Sequence, residues 1–515
     1  MLKFWKRNSK GKPYLYEEKP ENKDVSLTGK NISTLLSDSD DIIIRQLYIN
    51  GNEELAITFC YVDGLINKKT ASDDVLKPLL QEAALSKVQD SRDIINLIEH
   101  GSLYYTSQAT RDNINDTIKD VLDGSVALIF DDIKQAVTFD IKGFEKRTIQ
   151  ETTGENVIKG SKDAFIEVMS VNTSLVRRKI RTQNLKIKQM SIGQETITPV
   201  SVVYIDGIAN SNLVDEVNKR LQAINIDGVL RSSAIEEFIV DNKLSAFPQV
   251  MYTERPDNFC SNLLEGRVGI LIDGLPVSYI VPGSLNQFLH APEDYSSNFL
   301  VASSITFIRF VSVITTLILP GFYISVTTFH QEMIPTELAM SIIISKEGVP
   351  LPTYIEIIIM LLAFEVLLEA GLRMPKPIGQ AVSIVGAVVV GQSAVEAKLI
   401  SPVVVIVVSF TVISGFSMPN QDFSNALRLW RFIMTALSSF AGLFGLSLGF
   451  IALLLHLASI ETFGVPYLSP FAANEGDDIE VDSLFRMPVW LVKKRPRNLK
   501  TINKVKENSN VSKDK

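Results

Sequence analysis

The sequence is short of the residues that carry most metal and redox chemistry. Its 515 residues include two cysteines, Cys60 and Cys260, and four scattered histidines, His100, His290, His330 and His456. Two distant cysteines cannot form a disulfide framework, so both are expected as reduced thiols. The histidine spacing predicts no metal site, and nothing points to a bound cofactor. Also missing are the G-x-x-x-x-G-K-[ST] phosphate loop, H-E-x-x-H, C-x-x-C and the G-x-S-x-G elbow. With no nucleophile–base pairing in view, an enzyme is not expected. Basic excess is absent as well: a net charge of -7 and a pI near 5.4 argue against a nucleic-acid partner. The first 290 residues contain no run near the roughly 20 apolar residues that span a bilayer. Residues 1–40 are polar and lack the apolar core, about 7–15 residues long, of a signal peptide. They read as a disordered arm, and the block after them is expected to stay in the cytosol.

What is present is sharply partitioned. The mean hydropathy is only +0.17, because charges fill the N-terminal block and apolar residues concentrate between about 297 and 459. Within the N-terminal block a pair of passages recurs. The run ending in Asp63-Gly64 returns as the run ending in Asp206-Gly207, an offset of 143 residues. The run ending in Asp131-Asp132 returns as that ending in Asp273-Gly274, an offset of 142. Two pairs at nearly one offset suggest an internal repeat. Each Asp-Gly follows a β-branched and aromatic run and precedes an amphipathic helix, at about 73–85 and 213–224, so its simplest reading is tight-turn chemistry. The basic cluster Arg177-Arg178-Lys179-Arg181 falls on a helix predicted from Lys162 onward. It reads as a solvated face, with Arg177 and Arg178 as candidate subunit or anionic-lipid contacts.

In the apolar block, four segments qualify as spans: 305–327, 378–395, 400–416 and 432–458. A fifth, 354–372, carries Glu356 and Glu365, Glu369 and Arg373, the last three sharing a helix face at i, i+4, i+8. Each ionisable group at a bilayer centre costs about 2.5–3.5 kcal/mol or more, so this segment is expected to lie at the interface, to re-enter or to face a protein or aqueous interior. Lys493, Lys494, Arg495, Arg497 and Lys500 place the C-terminal tail in the cytosol by the positive-inside rule. An even span count then favours four spans, at the cost of putting Arg428 and Arg431 on the outer side. Other intramembrane polar candidates are Arg309, Gln380, Gln392, Glu396 and Lys398. In 378–395, Gly379, Gly386 and Ser393 form a small-residue seam beside Val385, Val388 and Val389. In a symmetric oligomer such a helix could line a pore gated by dewetting; packing within one subunit is the plainer alternative. Gly442 and Gly449, seven apart in 432–458, are expected on one packing face.

Seven passages bear a more specific likeness: KGSKDAFIE from Lys159, NTSLVRR from Asn172, ERPD from Glu254, LEGRV from Leu264, EAGLRMPKPIGQAVSIVG from Glu369, GQSAVEA from Gly391 and GVPYLSPF from Gly464. On these passages the chain resembles the A subunits of spore germinant receptors, the GerA family, over about residues 40–495. The resemblance implies a multi-pass protein of the spore inner membrane with its N-terminal domain in the cytosol. It implies a transporter-like B subunit that binds the nutrient, a lipoprotein C subunit, and a homo-oligomer, a pentamer in the family picture, that releases monovalent cations. It gives the pore reading of Gln380, Val385, Val388, Val389, Gln392 and Glu396 a context without assigning their roles. Two alternatives stay open: a stage V sporulation AF-type paralogue that amplifies cation release, and a non-conducting membrane scaffold. A secondary transporter is disfavoured, because no inverted membrane repeat is visible. The expected fold is a duplicated α/β cytosolic domain followed by an all-α polytopic membrane domain. Its regions are a disordered arm (1–40), two α/β subdomains (41–147 and 148–298), a transmembrane domain (299–459) and a basic tail (460–515).

Overall fold

The computed structural model describes residues 25–49, 55–81, 90–100, 105, 107–143, 155, 157, 159–374, 391–471 and 485–506. The chain forms two compact units. The first comprises residues 1–239, 252–281 and 489–515, the second 240–251 and 282–488.

The first unit is built on two five-stranded sheets. Strands β1 (Ile42–Tyr48), β2 (Ala56–Val62), β3 (Gln108–Arg111), β4 (Val126–Phe130) and β5 (Gln135–Phe139) lie in the order β1-β2-β4-β5-β3. Strands β6 (Leu185–Ile192), β7 (Thr198–Ile205), β8 (Met251–Thr253), β9 (Val268–Ile272) and β10 (Ser278–Val281) lie in the order β6-β7-β9-β10-β8. The same order recurs, and the strands also share an offset. β4 begins at Val126 and β9 at Val268, 142 residues on; β1 and β6 begin 143 apart. Pairs β1–β2, β2–β4 and β4–β5 are antiparallel, as are β6–β7, β7–β9 and β9–β10. The expected α/β class is thus a mixed fold of antiparallel sheets with helices. Alternation along the strands gives the first sheet two apolar faces. One packs on Ile94, Ile95 and Ile98, the other on Ile32, Ile118 and Val121.

The Asp-Gly pairs are turns. Asp63 Oδ1 accepts from Gly64 N at 2.9 Å and Asp206 Oδ1 from Gly207 N at 3.0 Å. Both glycines have positive φ, +80° and +75°, which a side chain would strain. The other aspartates of the repeat cap helices. Asp131 Oδ1 accepts from Gly29 N at 2.7 Å and Asp273 Oδ1 from Met169 N at 2.9 Å.

Several boundaries differ from the sequence reading. Residues 25–40 are ordered, with helix Gly29–Leu35 seating Leu27, Ile32 and Leu36 on the first sheet. Polar composition concealed three apolar anchors in and beside this helix. The helix carrying Arg177 begins at Met169, not Lys162, because Asn172 turns its side chain back to Ile166, holding the preceding segment extended. Residues 460–515 are not a free tail throughout. Tyr467 is fully buried in the second unit, while Arg495 donates to Leu264 O and Ile502 N to Ile208 O within the first.

The second unit is helical. Two helical stretches, Phe299–Phe329 and Gln421–Ser459, are long and apolar enough to cross a membrane by length and composition. Helix Phe299–Ile324 runs on through a π-helical turn to Phe329. Helix Thr336–Ser345 follows, then Thr353–Arg373 and Pro402–Phe416, the latter of 15 residues. The segment around 354–372 is one continuous 21-residue helix, so nothing in its backbone marks a re-entrant break.

Gln421–Ser459 departs most from expectation. Gly442 sits at φ +59°, ψ -138°, outside the helical region. The chain folds back there: Trp430 packs on His456 with ring centroids 5.6 Å apart. A Cβ on Gly449 would come within 3.2 Å of Met434 Sδ, and one on Gly445 within 2.1 Å of Leu437 O. In a straight helix Met434 and Gly449 would stand about 22 Å apart. The expected single span 432–458 is therefore a hairpin of antiparallel halves, 421–441 and 443–459. Gly442 is its corner and does not share a face with Gly449; Gly445 and Gly449 let the two halves approach.

Candidate functional site

Phe247, Phe288, Phe423, Trp430, His456 and Tyr467 gather at one end of the second unit, with Phe288 stacked on Phe423 at 6.2 Å. The hairpin corner lies at the other end, where a Cβ on Gly442 would meet Phe329 at 2.9 Å. Several Ser and Thr inside the bundle close their hydroxyls on the preceding turn, as Thr435 does to Arg431 O and Ser438 to Met434 O. The ionisable side chains carry the stronger polar chemistry.

These sit in pairs. Arg309, near the start of its helix, is held by Asp294, with Nη2 to Oδ1 at 3.0 Å, and both are buried or nearly so. Glu365 accepts from Arg428 Nη1 at 2.9 Å and from Arg431 Nη2 at 3.4 Å. Arg431 is one of the most deeply buried large side chains in the chain, and its Nε has no hydrogen-bond partner. Glu369 pairs with Arg373 at 2.8 Å on an exposed surface. The expected cluster Glu365–Glu369–Arg373 is thereby divided: spacing placed them on one helix face, but Glu365 is taken by two arginines from the hairpin. Those arginines were missed as site residues. Their signal was present in the sequence, two cations at i, i+3 just ahead of an apolar run with no acid at i±3 or i±4 to pair them.

Glu356 is fully buried and accepts from Ser401 N at 2.8 Å through Oε2. Lys346 Nζ stands 3.1 Å from its Oε1. Ser401 caps helix Pro402–Phe416, so an acid on one helix holds the start of the next. Gln392 donates to Glu396 Oε1 at 2.8 Å, and both side chains are exposed. Gln380, Val385, Val388 and Val389 lie outside the described residues.

In the first unit Arg177 is 1% exposed and grips Asp41 with two hydrogen bonds, Nε to Oδ2 at 2.7 Å and Nη2 to Oδ1 at 2.8 Å. This corrects its assignment as a subunit or lipid contact. Basic clusters usually face solvent, but here a carboxylate 136 residues earlier draws one member inward. The pair joins the two sheets' surroundings, beside Asp40 N donating to Ile187 O and Asp40 Oδ2 accepting from Gln189 N. Arg178 is exposed. Both cysteines are buried and free, and burial pushes each thiol up to about 12. Among the described residues no group of three or more His, Cys, Asp or Glu gathers as a metal site would require.

Comparison with known proteins gives this arrangement a family. The model of the Bacillus/Clostridium GerA spore germination protein family matches residues 30–498. Spore germination protein KA of Bacillus subtilis is 36% identical over 94% of this chain and 88% of its own length. Spore germination protein B1 of the same organism is 36% identical over 90% and 96%. GerLA of Bacillus cereus is 33% identical over 92% and 95%. Among solved structures, the N-terminal domain of the A subunit of the Bacillus megaterium spore germinant receptor GerK3 is 32% identical, covering 50% of this chain and 96% of that one at a TM-score of 0.38. With nearly its whole length matched, the chain belongs to the GerA family of spore germination proteins.

Proposed function

We propose that the chain is the A subunit of a nutrient germinant receptor in the spore inner membrane, forming with copies of itself a gated channel for monovalent cations. The observation that carries this reading is the inverted burial of the second unit. Phe440 and Phe444 are 86% and 74% exposed, and Ile406, Phe410 and Ile413 line the outside of their helix. Meanwhile Glu356 and Arg431 are inside. Water-soluble units seldom expose so many large apolar side chains together, whereas a lipid surround favours it.

The hairpin supplies a topology. Helices 299–324, 353–373 and 402–416, both hairpin halves, and the sequence-predicted helix 378–395 make six passes. Six return the chain to the side it started from, and Arg428 and Arg431 fall at the same end as the start of helix Phe299–Ile324. The conflict with the positive-inside rule that four spans created then disappears. The N-terminal sheets sit in the cytosol as a collar built from a duplicated module. The segment 378–395 lines the pore, with Val385, Val388 and Val389 as the dewetting gate and Gln380, Gln392 and Glu396 at its polar positions. A transporter-like B subunit senses nutrient, a lipoprotein C subunit completes the receptor, and nutrient shifts the closed–open equilibrium through differential affinity for the two states.

Potassium release from dormant spores tests this, comparing wild type with Val388→Ala and Val388→Phe at matched protein levels. Ala is expected to leak without nutrient and Phe to block release with it. Wild-type behaviour in both would remove the pore role from this segment.

A further inference from the structure

Inside the helical unit, three buried oxygen atoms without partners belong to helices that share one apolar cluster. Glu356 Oε1, Ser401 Oγ and Tyr323 Oη are each buried and lack a hydrogen-bond partner. Glu356 and Ser401 are both 0% exposed and joined by the bond from Ser401 N to Oε2. Tyr323 lies within electrostatic reach of Glu356 and packs in the same apolar cluster as Ile357, Ile400 and Val404. Three helices supply these oxygens: the end of Phe299–Ile324, the start of Thr353–Arg373 and the cap of Pro402–Phe416.

The cation already present is only half engaged. Lys346 Nζ is 3.1 Å from Oε1 without hydrogen-bond alignment, and it donates instead to Thr353 Oγ1. Its side chain is 24% exposed on a flexible stem, so it can leave outward. A carboxylate oxygen stripped of water and left without a donor is costly, and the cost falls when a positive charge binds it. One carboxylate and two neutral hydroxyls suit a single positive charge. A divalent ion takes about six to eight oxygens, several of them from carboxylates, and the carboxylate repels anions.

We propose that Glu356 Oε1, Tyr323 Oη and Ser401 Oγ form a binding site for a small monovalent cation, an alkali ion or ammonium, for which the Lys346 ammonium is a tethered competitor. The site adjoins the described end of the 378–395 segment, where Ala394 packs in the same apolar cluster. Ser401 follows Glu396 by five residues, and a Cβ on Gly348, beside Lys346, would meet Lys398 Nζ at 2.9 Å. Occupancy therefore acts on the turn that ends the proposed pore helix. The site requires no conduction to exist, and the test reads binding alone.

The full-length protein in detergent is melted in potassium, sodium or ammonium chloride against choline chloride at equal ionic strength. Lys346→Met removes the competitor and is expected to show a saturable rise in Tm with the small cations and none with choline. Lys346→Met/Glu356→Gln is expected to lose that rise. Tyr323→Phe and Ser401→Ala, placed singly on Lys346→Met, each remove one oxygen and are expected to move the cation midpoint to higher concentration. Equal melting in all four salts for Lys346→Met overturns the proposal and leaves the pocket to buried water. If Lys346→Met does not fold, binding of radioactive rubidium to the wild-type protein, competed by sodium but not choline and absent in Glu356→Gln, decides it; no competed binding overturns the proposal.

Discussion

The two units of this protein bury opposite things. The sheet unit hides Ile94, Val126 and Ile270 and turns most of its charge outward, while burying both members of the bidentate pair Arg177–Asp41. The helical unit exposes Phe440, Phe444 and Ile413 while it keeps Glu356 and Arg431 inside. The lipid surround proposed for the helical unit accounts for the difference. In water the apolar surface drives the collapse and a buried ion pair is tolerated only with near-ideal geometry. Among lipid chains apolar packing gains little from burial, and polar groups turn to one another. The contrast teaches that an interior ion pair means different things in the two units, a clamp in one and a candidate site in the other.

The largest expected effect compares those pairs directly. Arg177→Met strands Asp41 at a buried position and is expected to cost about 3–5 kcal/mol, with some of the loss recovered by Asp41→Asn in the same chain. Glu365→Gln is expected to cost less, about 1–3 kcal/mol, because Glu365 and Arg428 are partly exposed and the glutamine amide oxygen can still accept from the buried Arg431. Denaturant unfolding of the full chain in detergent checks both, and equal losses would erase the distinction between clamp and site.

Gly442→Ala comes next. The corner's φ of +59° with ψ -138° is close to glycine-only territory, and a Cβ would meet Phe329 at 2.9 Å. A loss of about 1–3 kcal/mol is expected, confined to the helical unit. Circular dichroism melting should show the helical transition fall while the sheet transition holds; a straightened helix would instead keep its melting point.

A further effect is one of pH and belongs to the sheet unit. Burial raises the Glu155 carboxyl from its ordinary 4.5 to about 7, opposed by a hydrogen bond from Thr253 and by the charge of Arg255. The folded state therefore holds its proton more tightly than the unfolded chain. Stability from this group is complete below about 4.5 and is lost as the pH rises through about 7. Glu155→Gln should flatten that slope in unfolding experiments across this window, and an unchanged slope would show that Glu155 is solvated.

Much of the fold was legible because it rests on local pattern. The runs ending at Asp63, Asp131, Asp206 and Asp273 are short, apolar and rich in β-branched or aromatic residues, and the turn glycines announce themselves. The 142–143 offset seen in two pairs of runs recurs in the strand positions. The interior contacts were not legible. Helix spacing put Glu365 with Glu369 and Arg373, yet its partners are 63 and 66 residues away. Arg177 looked like one of four surface cations because Asp41 lies 136 residues earlier.

By itself the sequence determined where apolar and charged residues concentrate, where the chain turns, and to which family it belongs, since these depend on short-range pattern and on stretches such as the one from Glu369 to Arg373. Only the tertiary structure decided that Gly442 is a corner, that Arg428 and Arg431 meet Glu365, and that Tyr323, Glu356 and Ser401 carry buried oxygens without partners. The physical reason is common to all three. A glycine is compatible with helix and with hairpin, and a charge with water or with a distant partner; the choice is made by what the rest of the chain packs against it.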